Sequence, residues 1–102
     1  MFSADYETAR VGKRGAARSK LGLDAELDGS HRTLCRVSDI SVSGARLQTH
    51  SELKVGSVVW LTLPLVGRVS ATVKWADEYN SGCQFVAPLS NDALAAILAE
   101  AA

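Results

Sequence analysis

No run of apolar residues in this 102-residue chain approaches the roughly 18–20 that a helix needs to span a bilayer. The first residues are polar and lack the apolar stretch of a secretory signal, so no export is expected. Cysteine is scarce: Cys35 and Cys83 stand far apart, with no CxxC pair. That excludes a disulfide framework. No ligand spacing joins either thiol to His31 or His50, which excludes a zinc pattern. Two reduced, half-buried thiols in a cytosolic protein are the expectation. Net charge is absent too, because 11 Lys and Arg balance 11 Asp and Glu. No global field would then steer a long polyanion. No Ser-His-Asp set has a positioned base and no P-loop glycine pattern occurs, so the chain is not expected to be an enzyme.

What is present fits one small domain. A chain of this length buries about 60–65% of its unfolded surface, enough for a modest core. Hydrophobic residues make up 47% and charged residues 22%, both ordinary for a globular fold. The charge is unevenly spread. Residues 1–20 hold Arg10, Lys13, Arg14, Arg18 and Lys20 against Asp5 and Glu7, whereas after Lys74 only Asp77, Glu78, Asp92 and Glu100 carry charge. A local basic segment on a neutral protein suits a small anion better than a long nucleic acid.

Residues 1–20 show neither helical nor strand periodicity and read as a flexible basic arm. From residue 21 to residue 102 the chain reads as the folded domain. Leu21, Leu23, Ala25 and Leu27 alternate with Gly22, Asp24 and Glu26, the period of a half-buried strand, and Asp28-Gly29 is a turn signal. A second strand at about 31–38 puts Thr33, Cys35 and Val37 on one face. Shorter strands follow at Ala45–Thr49, Val58–Leu63, Arg68–Ala76 and Cys83–Ala87, with a loop at Glu78–Gly82. In the fifth, Val69, Ala71, Val73 and Trp75 share the alternation. Ser90 can cap a helix whose Leu94, Ile97 and Leu98 fall on one face. Six short strands with turns between them predict a closed or nearly closed antiparallel barrel, with the C-terminal helix over one end or edge.

Two motifs carry chemistry. In Arg14-Gly15-Ala16-Ala17-Arg18 two permanently charged, planar guanidiniums are separated by small residues, so both can reach one ligand. They can fork onto phosphate, stack on a purine or donate to guanine O6 and N7; a merely solvated basic arm is the plainer reading. In Asp39-Ile40-Ser41-Val42-Ser43-Gly44 the carboxylate of Asp39 can accept both donors of guanine's Watson–Crick edge, a pair that adenine lacks. Ser41 supplies a hydroxyl toward phosphate or holds the turn. Gly44 allows a positive φ or a close ligand approach. Ile40 and Val42 point inward. The plainer reading is a turn whose side chains bond only to backbone.

Together, RxxxR, then a strand of alternating leucines, then DxSxxG after the next strand closely resemble the PilZ domain family. Val73-Lys74-Trp75 and Gly82-Cys83-Gln84-Phe85 look like that family's closing hairpin, so the likeness runs over about residues 14–88. The resemblance implies an all-β, six-stranded antiparallel PilZ-type β-barrel with a C-terminal α-helix, acting as a cytoplasmic bacterial receptor for cyclic di-GMP. It implies ligand contacts from Arg14, Arg18, Asp39, Ser41 and Gly44. Lys13 stands where many members have arginine and bears on whether one ligand or a stacked pair binds. Arg36 and Arg46 flank the turn and are accessory candidates for positive potential. A changed surface read by a downstream protein partner would be the output. No metal, no cofactor beyond the ligand itself and no nucleic-acid partner is expected.

The main rival is a PilZ-like adaptor that binds a protein without nucleotide, although such members typically lack the arginines or the Asp-Ser-Gly turn. A single-stranded nucleic-acid barrel is a further rival; it wants exposed aromatics in a basic groove, whereas Trp60 and Trp75 lie in strands that read as buried. The alternative for both tryptophans is a partner-docking patch.

Overall fold

The alternation of apolar side chains becomes strand nearly everywhere it occurs. The computed structural model describes residues 18–29, 32–50 and 52–101. In chain order these form β1 (Ser19–Asp28), β2 (Arg32–Ile40), β3 (Gly44–Gln48), β4 (Val58–Leu63), β5 (Gly67–Ala76), β6 (Asn80–Phe85) and α1 (Asn91–Ala101). The strands close in the order β1-β2-β3-β6-β5-β4, every neighbour antiparallel. The closing seam is short: β1 meets β4 only through Glu26–Thr62, Leu27–Leu61 and Asp28–Trp60. Closure gives every strand a neighbour on both sides and so shortens the free edges on which an open sheet would pair with other chains.

One face of each strand fills the barrel. Leu27, Val37, Leu47, Leu61, Leu63 and Val73 are all but completely buried, and Ala25, Ala45 and Ala71 supply the small volumes between them. Ser90 caps α1 by accepting a hydrogen bond from the Ala93 amide at 3.0 Å. The helix packs against β1 and buries Ile97 completely, with Leu94 and Leu98 half-buried beside it. The all-β barrel with a single C-terminal helix is therefore the architecture, as the alternation predicts.

Strand ends shift by a residue or two, and three differences bear on the site. The first strand begins at Ser19, two residues ahead of the expected boundary; residues 1–17 lie outside the described residues. β6 begins at Asn80 rather than Cys83, because Asn80, Ser81 and Gly82 pair with Gln48, Leu47 and Arg46 of β3. Small and polar side chains gave that stretch no visible period. Finally, Trp60 and Trp75 are not buried: they are 43% and 42% exposed. Trp60 sits on the outer face by simple alternation with Val59 and Leu61. Trp75 reaches it through an irregularity that positions the site.

Candidate functional site

Three breaks in the ladder surround one region of the barrel: in β1 between Lys20 and Leu23, in β2 between Val37 and Asp39, and in β5 between Val73 and Trp75. Bulges of this kind re-aim side chains and gather beside functional sites. In β2, Val37 and Ile40 are both completely buried although three residues apart, which only an extra residue permits. The extra residue also carries Asp39 to Arg18, the last residue before β1. Arg18 Nε donates to Asp39 Oδ1 at 2.6 Å. The arginine side chain is 45% exposed and the carboxylate only 12%. The structure thus brings together two residues that lie 21 positions apart in sequence. Arg14 and Lys13 fall outside the described residues.

The turn after β2 is closed on itself. Ser41 is completely buried, and its Oγ accepts from the amides of Ser43 at 3.2 Å and Gly44 at 3.3 Å. Of the two roles open to Ser41, this geometry is that of holding the turn. The Leu89 amide donates to the Val42 carbonyl at 2.8 Å, tying the turn to the approach to α1. Gly44 does not take a left-handed φ. Its missing side chain is needed for another reason: a Cβ there would run into the Cys83 carbonyl oxygen of β6. Its constraint is strand-to-strand contact.

Beside the turn, the outer faces of β3, β6 and β5 form an open groove of about 620 Å³. Arg18, Arg46 and Lys74 bring three cations to its lining, with no carboxylate among the lining residues. Trp75 supplies a flat aromatic wall, and Ser43 and Gln84 add polar groups. In β5 the bulge turns both Lys74 and Trp75 outward, where strict alternation would send the indole into the core. The ring lies over Gly82, whose position a Cβ could not share with it. Arg46 covers the ring as well, its Cζ 5.6 Å from the centroid. Arg46 therefore belongs to the groove. Arg36 does not: it faces Asp24 at 3.6 Å and lines a different depression with Leu34, Gln48 and His50. Of the two accessory candidates flanking the turn, the groove is lined by Arg46 and not by Arg36.

The residues that sequence reasoning missed are Lys74, Trp75, Gly82, Gln84 and Ser43. The Trp75–Gly82 pair was visible as two family-like segments, but only the bulge assigns it to a surface. Cys83 lies under the groove, where burial pushes its thiol pKa up from 9.0 to about 11. Burial, helped by the nearby Cys83 and Asp24, pushes Cys35 up to about 12. Both are free, buried and protonated at neutral pH. Among the described residues no cluster of three His, Cys, Asp or Glu is arranged to hold a metal, and no helix is long and apolar enough to cross a membrane. Three cations around a flat aromatic suit an anion that also carries a planar ring.

Comparison with known proteins agrees with this architecture. The family model for the PilZ domain matches residues 12–101. No curated protein matches the sequence significantly. Among solved structures, the Bacillus subtilis inhibitor of motility (MotI/DgrA) is similar in fold, with a TM-score of 0.66 and 14% sequence identity. That likeness covers 89% of this chain and 51% of the other, so the chain spans about half the length of that protein.

Proposed function

This chain belongs to the PilZ domain family, and from that premise we propose that it is a receptor for the bacterial messenger cyclic di-GMP. PilZ domains bind ligands and partners; they are not a catalytic family. The observation that carries the reading is the groove, in which Arg18, Arg46 and Lys74 surround the indole of Trp75 with no opposing carboxylate in the lining. A cyclic dinucleotide offers what such a surface takes, two phosphates and two planar purines. Arg14, four residues before Arg18, supplies the second motif arginine. Asp39, Ser41 and Gly44 build the adjoining wall.

Each charge-assisted bond to a phosphate or base contributes on the order of 1.5–3 kcal/mol. Filling the groove replaces an exposed cationic surface by a neutralised one, and a partner protein reads that change. A receptor of this kind works in the bacterial cytoplasm, where buried thiols such as Cys35 and Cys83 stay reduced. Calorimetric titration tests the proposal, with GTP and cyclic di-AMP as controls. Cyclic di-GMP should bind in preference to both, and Arg14→Ala or Arg18→Ala should weaken it by roughly 10- to 100-fold. Absence of binding to the unmodified chain would overturn the receptor reading; unchanged affinity in both variants would overturn the arginine assignment.

A further inference from the structure

The surroundings of Asp39 disagree with a direct role. To read guanine's Watson–Crick edge, a carboxylate must offer both oxygens, in plane, to N1–H and the exocyclic amine. Here Oδ1 already accepts from Arg18 Nε at 2.6 Å. Its side chain is only 12% exposed, and Asp39 is not among the residues that line the groove, whereas Arg18 is. The carboxylate faces the arginine and the arginine faces the groove.

Holding Nε has a specific consequence. A guanidinium can fork through Nε and one terminal nitrogen, or through both terminal nitrogens. Asp39 takes Nε and so blocks the first mode, and no other bond to Arg18 occurs among the described residues. The end-on pair is left, with the guanidinium restrained at Nε. An arginine held this way loses less freedom when it closes on phosphate or on a guanine edge. The anchor is itself fixed: Asp39 stands opposite Lys20 on one side and Arg46 on the other, between the buried Val37 and Ile40.

We propose that Asp39 acts on the ligand through Arg18, as the positioning residue that holds Nε and presents the two terminal nitrogens to the groove, and not as the reader of the guanine edge. The role rests on the cyclic di-GMP reading given above. It makes ligand preference a property of the groove and the arginine, with Asp39 setting their strength.

The test combines two readouts on the whole chain. In the free protein, nitrogen-detected or proton–nitrogen NMR should show a protected Arg18 Nε–H signal that disappears in Asp39→Asn; its absence from the unmodified chain would overturn the proposal. Calorimetry then compares cyclic di-GMP with cyclic di-IMP, which lacks the exocyclic amine. Asp39→Asn should weaken both ligands by the same factor, roughly tenfold. In the Arg18→Lys background, which keeps charge but has no Nε to hold, it should weaken them by under about threefold. Loss of the difference between the two ligands in Asp39→Asn would instead show that the carboxylate reads guanine, and would overturn the positioning role alone. Failure of the unmodified chain to bind either ligand would overturn the receptor reading, and with it this role.

Discussion

Gly44 and Gly82 both lack a side chain for reasons of space, yet their neighbours differ. At Gly44 the obstacle is the backbone of β6, at the Cys83 carbonyl. Backbone cannot swing aside, so Gly44→Ala should cost about 1–3 kcal/mol of stability, read by urea unfolding. At Gly82 the obstacle is the half-exposed indole of Trp75. That ring can move outward, so Gly82→Ala should cost under about 1 kcal/mol. It should still lower affinity for cyclic di-GMP, because the groove loses its flat wall. The cysteines make a second prediction at this scale. The folded state keeps thiol protons that an unfolded chain begins to release near pH 9.0. Their contribution to stability is complete below pH 9.0 and is lost as pH rises toward about 11 and about 12. Unfolding midpoints measured across that range should fall. At neutral pH both thiols should resist aromatic disulfide reagents until the chain unfolds.

At the scale of elements, the strands were legible because one face of each is buried, and burial imposes a period of two on Leu21–Leu27, Thr33–Val37 and Val58–Leu63. The helix was legible from Ser90 and from the spacing of Leu94, Ile97 and Leu98. The bulges were not. Each is a place where the chain departs from the period, and a single sequence gives no register against which to see the departure. Alternation groups Trp75 with Val69, Ala71 and Val73 for that reason, and hides the groove on β5 with it. Arg18 and Asp39 were legible as candidates; the identity of Asp39's partner was not, since it depends on where two bulged strands meet. The β1–β4 seam carries its own prediction. Arg68 lies 4.9 Å above the Trp60 ring and reaches across β4 to Asp28 Oδ2 at 3.3 Å, while Arg32 holds the other oxygen at 3.5 Å. Arg68 thus joins β5 to β1 where only three residue pairs close the barrel. The Arg68 side chain is 56% exposed, so Arg68→Ala should cost only about 0.5–1 kcal/mol. Hydrogen exchange should show its effect concentrated at Glu26–Asp28 and Trp60–Thr62.

Among the described residues the strands close into a barrel that leaves little free edge to extend, so a partner must chiefly recognise side chains on its outside. A ligand that binds only the folded barrel stabilises all of it. With cyclic di-GMP at a hundred times its dissociation constant, the gain is about 2.7 kcal/mol. For a domain of this size the thermal midpoint should rise by roughly 10–20 °C. GTP at the same concentration should leave it unchanged. A flat response to both nucleotides would overturn the receptor reading and favour an adaptor that binds a protein without nucleotide.

The extra residues in β2 and β5 have a consequence for how such a protein can diverge. Within a paired ladder, inserting or deleting one residue inverts every side chain beyond it and ruins the core. At Ser38 and Lys74 the surplus residue has no partner across the ladder. An in-frame loss of the Lys74 codon would make the β5–β6 ladder regular again and leave the interior in place. The groove face of β5 can therefore be reshaped by a single-codon length change while the barrel persists.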